Sequence, residues 1–425
     1  MNHTIRNFFI VVPFTLSLIT AVCAQTLPIA APEDVGLSNK RLERIGAVMD
    51  RLIGENRIAG AVTLVSRRGK IAHLETHGMA DKENGKPMSE DTIFALMSMT
   101  KPITSLAVLM LYEEGKFLLT DPVSKYIPGF RDMRVVIQEK DASGSVETST
   151  IPAKQPITIR HLLLHTAGLS YGSGSHAAYY KKAGIRELRA PEHTIEELTI
   201  ALAKLPLLFH PGENYTYSLS DEVLGYFIEV ITGKSFDRFL QERIFKPLGM
   251  NDTFFYVPEA KKNRLAALYK CDDSGTITKQ PPNKKFLVKP LEQRFFPGGE
   301  GLYSTVHDYA RFCQMLLNGG ILDGVRLVSR KTVEMMTTNG VGDIDPNLPE
   351  GGDKWGLGGM SVRTKYHTDV GILSPGCYLK TGAYTTEFWV DPSEEMFGIL
   401  LIQLQPMSWE ILHLCMVLAT QAIID

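Results

Sequence analysis

At 425 residues the chain is long enough for one large enzyme domain or for two or three average ones. Hydrophobic residues make up 44% and charged residues 22%, as expected of a protein with a sizeable core. A formal net charge of −2 gives no basis for a nucleic-acid partner or an anionic membrane surface. No charge block, low-complexity tract or fixed-period repeat occurs, which excludes solenoids and disordered tails.

Residues 1–24 have the make-up of a secretory leader. Arg6 is the one charged side chain, residues 8–22 are mostly apolar, and Val22-Cys23-Ala24 precedes a cut ahead of Gln25. The run is short for a membrane span. The expectation is therefore a secreted or periplasmic chain with no stable membrane insertion after leader removal. Of the four remaining cysteines, Cys271, Cys313, Cys377 and Cys415, none has the spacing of a zinc knuckle or a redox pair. A disulfide is allowed by that compartment but not indicated by the spacing, and Cys313 has the surroundings of a helix core residue.

After a Pro-containing lead-in at 25–38, the apolar spacing of Leu42, Ile45, Val48, Met49, Leu52 and Ile53 predicts a helix. Two strands follow at 61–66 and 70–76, joined by the turn Arg67-Arg68-Gly69. A helix then starts near Ser98 and stops at Gly115. From 121 to 300, helical stretches at 159–164, 195–202 and 220–232 alternate with Gly- and Pro-rich loops, and 138–156 reads as an exposed excursion. Helices are expected again at 306–317 and 329–337, followed by a long Gly-rich loop at 339–377. Strands at 388–391 and 396–402 flank the turn Pro392-Ser393-Glu394-Glu395, and a final helix spans 408–424. This order predicts one sheet completed by the two chain ends. A single catalytic domain at 25–425 would combine an α/β part (about 38–120 and 301–425) with an inserted helical region (about 121–300). The site should lie in the cleft between the two parts.

Three short motifs carry chemistry. Ser98 and Lys101, at i and i+3, lie one helical turn apart on one face. A serine hydroxyl needs a neighbouring base or cation to become a nucleophile. A buried lysine can supply either, and a helix N-terminus favours the alkoxide. In the stretch His210 to Asp221, Tyr217 stands at a loop-to-helix junction, where a phenol held near a lysine can act as a base; as a lone residue it reads equally well as a structural aromatic. Lys380-Thr381-Gly382-Ala383, just before the last strand pair, can set an ammonium, a hydroxyl and a backbone N–H beside a substrate.

In this order, S-x-x-K, a tyrosine motif and a late K-T-G resemble the serine β-lactamase and penicillin-binding-protein superfamily. The chain is most similar to the class C β-lactamase branch and to family VIII carboxylesterases. Supporting stretches are 97–102, 121–128, 157–169, 298–305 and 388–392. The resemblance implies an α+β, β-lactamase/transpeptidase-like fold with an antiparallel sheet, flanking helices and an inserted, mostly helical region. It also implies Ser98 as the acylated nucleophile, Lys101 tuning Ser98 and Tyr217, and Tyr217 shuttling the proton. The oxyanion hole would fall on the N–H groups of Ser98 and Ala383. Lys380, Thr381 and Gly382 would face the substrate, and Tyr215, the runner-up for the tyrosine role, would be an aromatic wall of the cleft, since it is Tyr217 that precedes the family-like Ser-Leu-Ser. Leu219 stands where class C enzymes carry an asparagine that contacts the β-lactam side chain, which favours the esterase branch. Lys380-Thr381-Gly382 has the lactamase form, so the two motifs pull in opposite directions on substrate.

Competing motifs are weaker. Gly168-Leu169-Ser170-Tyr171-Gly172 matches G-x-S-x-G, but that motif needs a strand before its serine and a helix after it, and neither is expected here. Ser220-Asp221-Glu222 is similar to S-D-N but reads more simply as a helix cap. His161 and His165 have metal-pair spacing without an accompanying glutamate. The expected activity is that of a serine hydrolase acting through an acyl-enzyme on a small-molecule ester or amide. A carboxylesterase for short-chain acyl esters, with weak β-lactam hydrolysis, leads. A class C-type β-lactamase or D-amino-acid peptidase, or an acylated sensor that does not turn over, are the alternatives. No metal or organic cofactor is implied, and no feature sets an oligomeric state.

Overall fold

The computed structural model describes residues 26–140, 146–281, 294–348, 353–366 and 373–425. The expected leader at 1–24 lies outside the described residues. Among those described, no helix is long and apolar enough to cross a membrane.

The centre is an eight-stranded antiparallel sheet built from both ends of the chain. The N-terminal part supplies β1 (Gly60–Arg67), β2 (Lys70–Asp81) and β3 (Lys86–Pro87). The C-terminal part supplies β4 (Lys354–Trp355), β5 (Ser361–Val362), β6 (Tyr378–Gly382), β7 (Thr386–Asp391) and β8 (Met396–Leu401). Their order across the sheet is β4-β5-β6-β7-β8-β1-β2-β3. The two ends meet where β1 pairs with β8, Val62 opposite Leu401 and Val65 opposite Gly398. All eight residues of β1 are buried, as a strand covered on both faces requires.

Alternation along these strands feeds two cores. Val62, Leu64, Phe388, Val390 and Ile399 point to one face, where they pack with Ile103, Leu106, Tyr309 and Phe312. Ala61, Val65, Trp389 and Leu400 point to the other. There they meet Leu42, Ile45 and Met49 of helix α1 (Asn39–Gly54) and Ile411, Leu412 and Met416 of the C-terminal helix Trp409–Thr420. The first face is covered by α2 (Lys101–Glu113), buried along nearly its whole length, and by the helix Val306–Leu317. The region between α2 and residue 300 is mainly short helices, among them Ile159–Leu163, Ile195–Leu202 and α3 (Ser220–Thr232).

Three expectations need correction. The described residues of the 138–156 stretch are not an irregular excursion but form a hairpin of Arg134–Lys140 with Val146–Pro152. It is anchored by the Val136 N–H on the Leu207 carbonyl at 2.8 Å, a long-range bond that composition does not reveal. The loop expected at 339–377 contains β4 and β5, whose two-residue strands are too short to carry an alternating pattern. The last helix ends at Thr420 rather than 424.

Phe388 has no exposed surface and contacts the rings of Tyr309 (5.1 Å between centroids) and Phe312 (6.5 Å). Phe388→Ala should destabilise the chain by about 3–5 kcal/mol, read as a lower denaturant midpoint at unchanged slope.

Candidate active site

Ser98 heads α2 but lies outside it, in a single 3-10 turn, Met97–Thr100, with the α-helix beginning at Lys101. In such a turn positions i and i+3 eclipse, so Ser98 and Lys101 are stacked as the spacing suggested. Met97, just before the serine, has a φ of +51°, a left-handed conformation that an unbranched side chain adopts only under constraint. The constraint is visible: the Leu96 N–H is held by the Leu302 carbonyl at 2.8 Å, and the Met99 carbonyl by the Tyr309 hydroxyl at 2.9 Å. The chain therefore turns sharply and presents Ser98, half-buried, to the cleft.

Lys101 has no exposed surface. Its Nζ donates to the Gly299 carbonyl at 2.6 Å and lies 3.4 Å from both Ser98 Oγ and the Tyr171 hydroxyl. It also sits 4.6 Å from the centre of the Tyr217 ring. Burial by itself would depress the lysine pKa. The negative potential of the Tyr171 oxygen, Asp221, Glu222 and Glu300 outweighs it, and the pKa is raised. Lys101 is therefore an ammonium at neutral pH, a cation that stabilises an alkoxide rather than a free amine that takes a proton.

A cleft of about 460 Å³ opens in front of these groups. Ser98, Tyr215, Tyr217, Lys380, Thr381 and Ala383 all line it, as the motifs suggested. Lys380 Nζ lies over two rings, 5.1 Å from Tyr217 and 5.2 Å from Trp355. Gly382 is beside the cleft rather than in it, and its role is backbone proximity. A Cβ there would stand 2.2 Å from the Leu96 carbonyl oxygen, so only glycine lets the end of β6 close on the Ser98 turn. Leu219 does not reach the cleft. It is 1% exposed and points into the core at the N-cap of α3, because the apolar face of that helix extends one residue before its first turn.

The lesser motifs resolve as follows. Ser170 is fully buried, its Oγ 2.9 Å from His176 Nδ1, and it is not among the residues lining the cleft. The same pentapeptide delivers Tyr171 instead. That ring stacks on Tyr217 at 5.8 Å, with the Arg189 guanidinium 5.6 Å from its centre. Burial pushes the Tyr171 hydroxyl pKa up, with Lys101 opposing, so it stays protonated. His161 closes a capping box, its Nδ1 accepting the Thr158 N–H at 3.2 Å. His165 is buried between Ser218 Oγ (3.1 Å) and Asp221 (3.3 Å), and is kept neutral by burial and then by Lys101 and Lys380. Ser220 is not the cap of α3 but its first residue, which puts Asp221 and Glu222 in the first turn, both buried. Burial pushes Asp221 up to about 7 against the pull of Lys101 and Lys380. Glu222 also reaches about 7, through burial and then Glu300, against Arg189 and Lys101.

The motifs did not expose Tyr171, Asp221, Glu222 or the apolar wall of Trp355, Leu348, Met407 and Trp409. One signal was available for the acids. They open a helix whose following residues, Val223 and Leu224, are apolar on adjacent positions, so its first turn has little solvent-facing surface. The four cysteines are all free thiols.

Comparison with known proteins places the chain in a family. The family model described as Beta-lactamase matches residues 45–412. An uncharacterized protein of Mycobacterium tuberculosis is 34% identical over 357 residues, 81% of this chain and 86% of the relative. Esterase EstB of Burkholderia gladioli is 34% identical over 298 residues, 66% of this chain and 71% of the esterase. Among solved structures, EstCE1, described as a hydrolase with promiscuous acyltransferase activity, superposes with a TM-score of 0.74 at 26% identity. That match covers 91% of this chain and 99% of EstCE1.

Two outcomes are expected. Gly382→Ala should slow labelling of Ser98 by a fluorophosphonate by about 10²-fold, because a Cβ there forces the end of β6 away from the Ser98 turn, while leaving the far-ultraviolet circular dichroism unchanged. For Glu222, the folded-state pKa of about 7 lies above the ordinary 4.5. The unfolded chain therefore releases this proton first, and the carboxyl weakens the fold progressively as pH rises through that window. The gain in melting temperature of Glu222→Gln over the unaltered chain should grow from pH 5 to pH 8.

Proposed function

The chain belongs to the beta-lactamase family and is a serine hydrolase, and we propose that within this family it is a carboxylesterase acting on short-chain acyl esters through an acyl-enzyme. The observation that carries this reading is the cleft wall: Tyr215, Trp355, Leu348, Met407 and Trp409 offer an apolar surface to an acyl or alcohol group in front of Ser98. The likeness to Esterase EstB and EstCE1 supports the same reading. The burial of Leu219 adds to it, since no amide-binding side chain enters the cleft from that position.

In the proposed mechanism, Ser98 Oγ attacks the ester carbonyl and its proton passes to the Tyr217 oxygen. The Lys101 ammonium stabilises both the alkoxide and the phenolate. The tetrahedral oxyanion is held by the N–H groups of Ser98 and Ala383. Collapse expels the alcohol, which takes the proton from Tyr217, and leaves the acyl group on Ser98. Water, deprotonated by the same phenolate, then releases the acid and restores the serine. Tyr217 rather than Tyr171 takes the proton role because it lines the cleft with Ser98, whereas Tyr171 is not among the residues lining it.

A second substrate class has an observation in its favour. Lys380 and Thr381 line the same cleft, and an ammonium with a hydroxyl suits a substrate carboxylate of the β-lactam kind. Weak β-lactam turnover beside the main esterase activity accommodates both.

The experiment compares p-nitrophenyl butyrate with nitrocefin in the unaltered chain, Ser98→Ala and Ser170→Ala. Ester turnover should vanish in Ser98→Ala and persist in Ser170→Ala. Full turnover by Ser98→Ala would refute the mechanism. Faster turnover of nitrocefin than of the ester would move the assignment to β-lactamase, and stoichiometric acylation without turnover would make the protein a sensor. A separate pair tests the tyrosines. Tyr217→Phe should lose about 10²-fold or more in kcat, and Tyr171→Phe no more than about tenfold.

A further inference from the structure

The geometry points to Glu222 as a positioning residue for the reaction, acting on Ser98 through the Gly299 peptide and the Lys101 ammonium. The inference rests on the assignment of Ser98 and Lys101 above and adds a group that no motif of the site contains.

Three segments meet at this point. Glu222 Oε2, in the first turn of α3, accepts the Gly299 N–H at 2.8 Å. The carbonyl of the same residue, Gly299, accepts Lys101 Nζ at 2.6 Å, and Lys101 Nζ lies 3.4 Å from Ser98 Oγ. A carboxyl, one glycine, an ammonium and the serine thus form a continuous line from α3 to the cleft. Gly299 fills the gap tightly: a Cβ on it would stand 3.0 Å from Glu222 Oε1 and 3.2 Å from Lys101 Nζ. The carboxyl and the ammonium therefore flank one glycine with no room for anything between them.

A bond to one N–H does not require a charge. Glutamine would serve the Gly299 N–H equally well without the penalty of burying an ionisable group. Glu222 is fully buried, and its Oε1 has no hydrogen-bond partner among the described residues. Among the described residues, an acid in such a place is compensated by the positive charge of Arg189 and then of Lys101, and by the Gly299 N–H. The other groups facing Lys101 are differently engaged. Asp221, on the same helix, lies 3.3 Å from the His165 ring, Glu300 is paired with Arg189, and the Tyr171 hydroxyl is protonated. Lys380, across the Tyr217 ring, adds positive charge. Glu222 is the carboxyl that both orients the acceptor of Lys101 and offsets its charge. In its ionised form it holds Lys101 as an ammonium at Ser98, and in its protonated form that hold weakens.

Glu222→Gln keeps an acceptor for the Gly299 N–H and removes the charge. With p-nitrophenyl butyrate, the kcat of the unaltered chain should exceed that of Glu222→Gln by about tenfold at pH 8.5, because the Lys101 ammonium is held less firmly at Ser98 without the charge of Glu222. KM should stay within about twofold, because the substrate itself does not touch Glu222. The kcat ratio should fall towards one at pH 5, where the Glu222 carboxyl of the unaltered chain is protonated and as uncharged as glutamine, and the same fall should appear in an Asp221→Asn background. A ratio near one throughout, or one that does not vary with pH, overturns the proposal by leaving Glu222 a packing residue. Loss of the pH response in the Asp221→Asn background overturns it by moving the effect to Asp221. Labelling of Ser98 in the unaltered chain by a neutral fluorophosphonate needs no variant. Its rate should drop below about pH 7, and a flat rate overturns the proposal even if Glu222→Gln does not fold. Full ester turnover by Ser98→Ala would instead overturn the reading on which this inference stands.

Discussion

Burial of the Lys101 ammonium is the constraint around which this molecule is arranged. A lysine with no exposed surface would lose its proton or unfold its surroundings unless each N–H found an acceptor and the charge a counter-charge, since an uncompensated buried ion costs several kcal/mol. The acceptors come from three parts of the chain: Ser98 one turn earlier, the Gly299 carbonyl 198 residues later, and the Tyr171 hydroxyl from the segment between. The counter-charges come from α3 and from Glu300. Satisfying one side chain therefore brings together the helical region and the sheet-bearing part, and the cleft opens where they join.

That arrangement also sets the division of labour in the chemistry. Because the nearby carboxyls hold the Lys101 pKa up, the proposed mechanism gives this residue the part of electrostatic support and leaves the proton to a phenol. The two tyrosines that stack beside it are not equivalent. Tyr217 lines the cleft, whereas Tyr171 stacks on Tyr217 with its ring partly exposed and its hydroxyl, whose pKa local desolvation raises, turned to Lys101. The sheet contributes through contact rather than charge. The end of β6 approaches the Leu96 carbonyl as closely as a backbone without a Cβ permits, and this sets Ala383 and Ser98 side by side.

The sequence carries the local part of this design in full. Ser98 and Lys101 are three residues apart, Lys380-Thr381-Gly382 is contiguous, and Tyr217 stands at the mouth of an apolar helix; none of these requires knowledge of a distant contact. The period-2 and period-3.6 patterns likewise place α1, α2, β1, β7 and β8, because each of these buries a face long enough to show its repeat. The sheet completed by both chain ends follows from where those patterns fall.

What the tertiary structure alone decided is long-range. Asp221 and Glu222 look in the sequence like the exposed acids of a helix start. Only the packing of α3 against α2 and Gly299 turns them into buried carboxyls with pKa values near 7. Tyr171 sits in a pentapeptide whose serine attracts attention, yet the fold buries Ser170 and brings the tyrosine to Lys101. Leu219 marks an absent asparagine in the sequence, and in the fold it leaves the cleft altogether. Trp355 reaches the site on a strand of two residues, too short to have a period. In each case the deciding quantity is burial against residues tens to hundreds of positions away, and a side chain's identity says nothing about that distance. Residue order therefore determined the Ser98-x-x-Lys101 motif and the sheet, and the meeting of α2, α3 and the Gly299 loop determined how Ser98 and Lys101 are held.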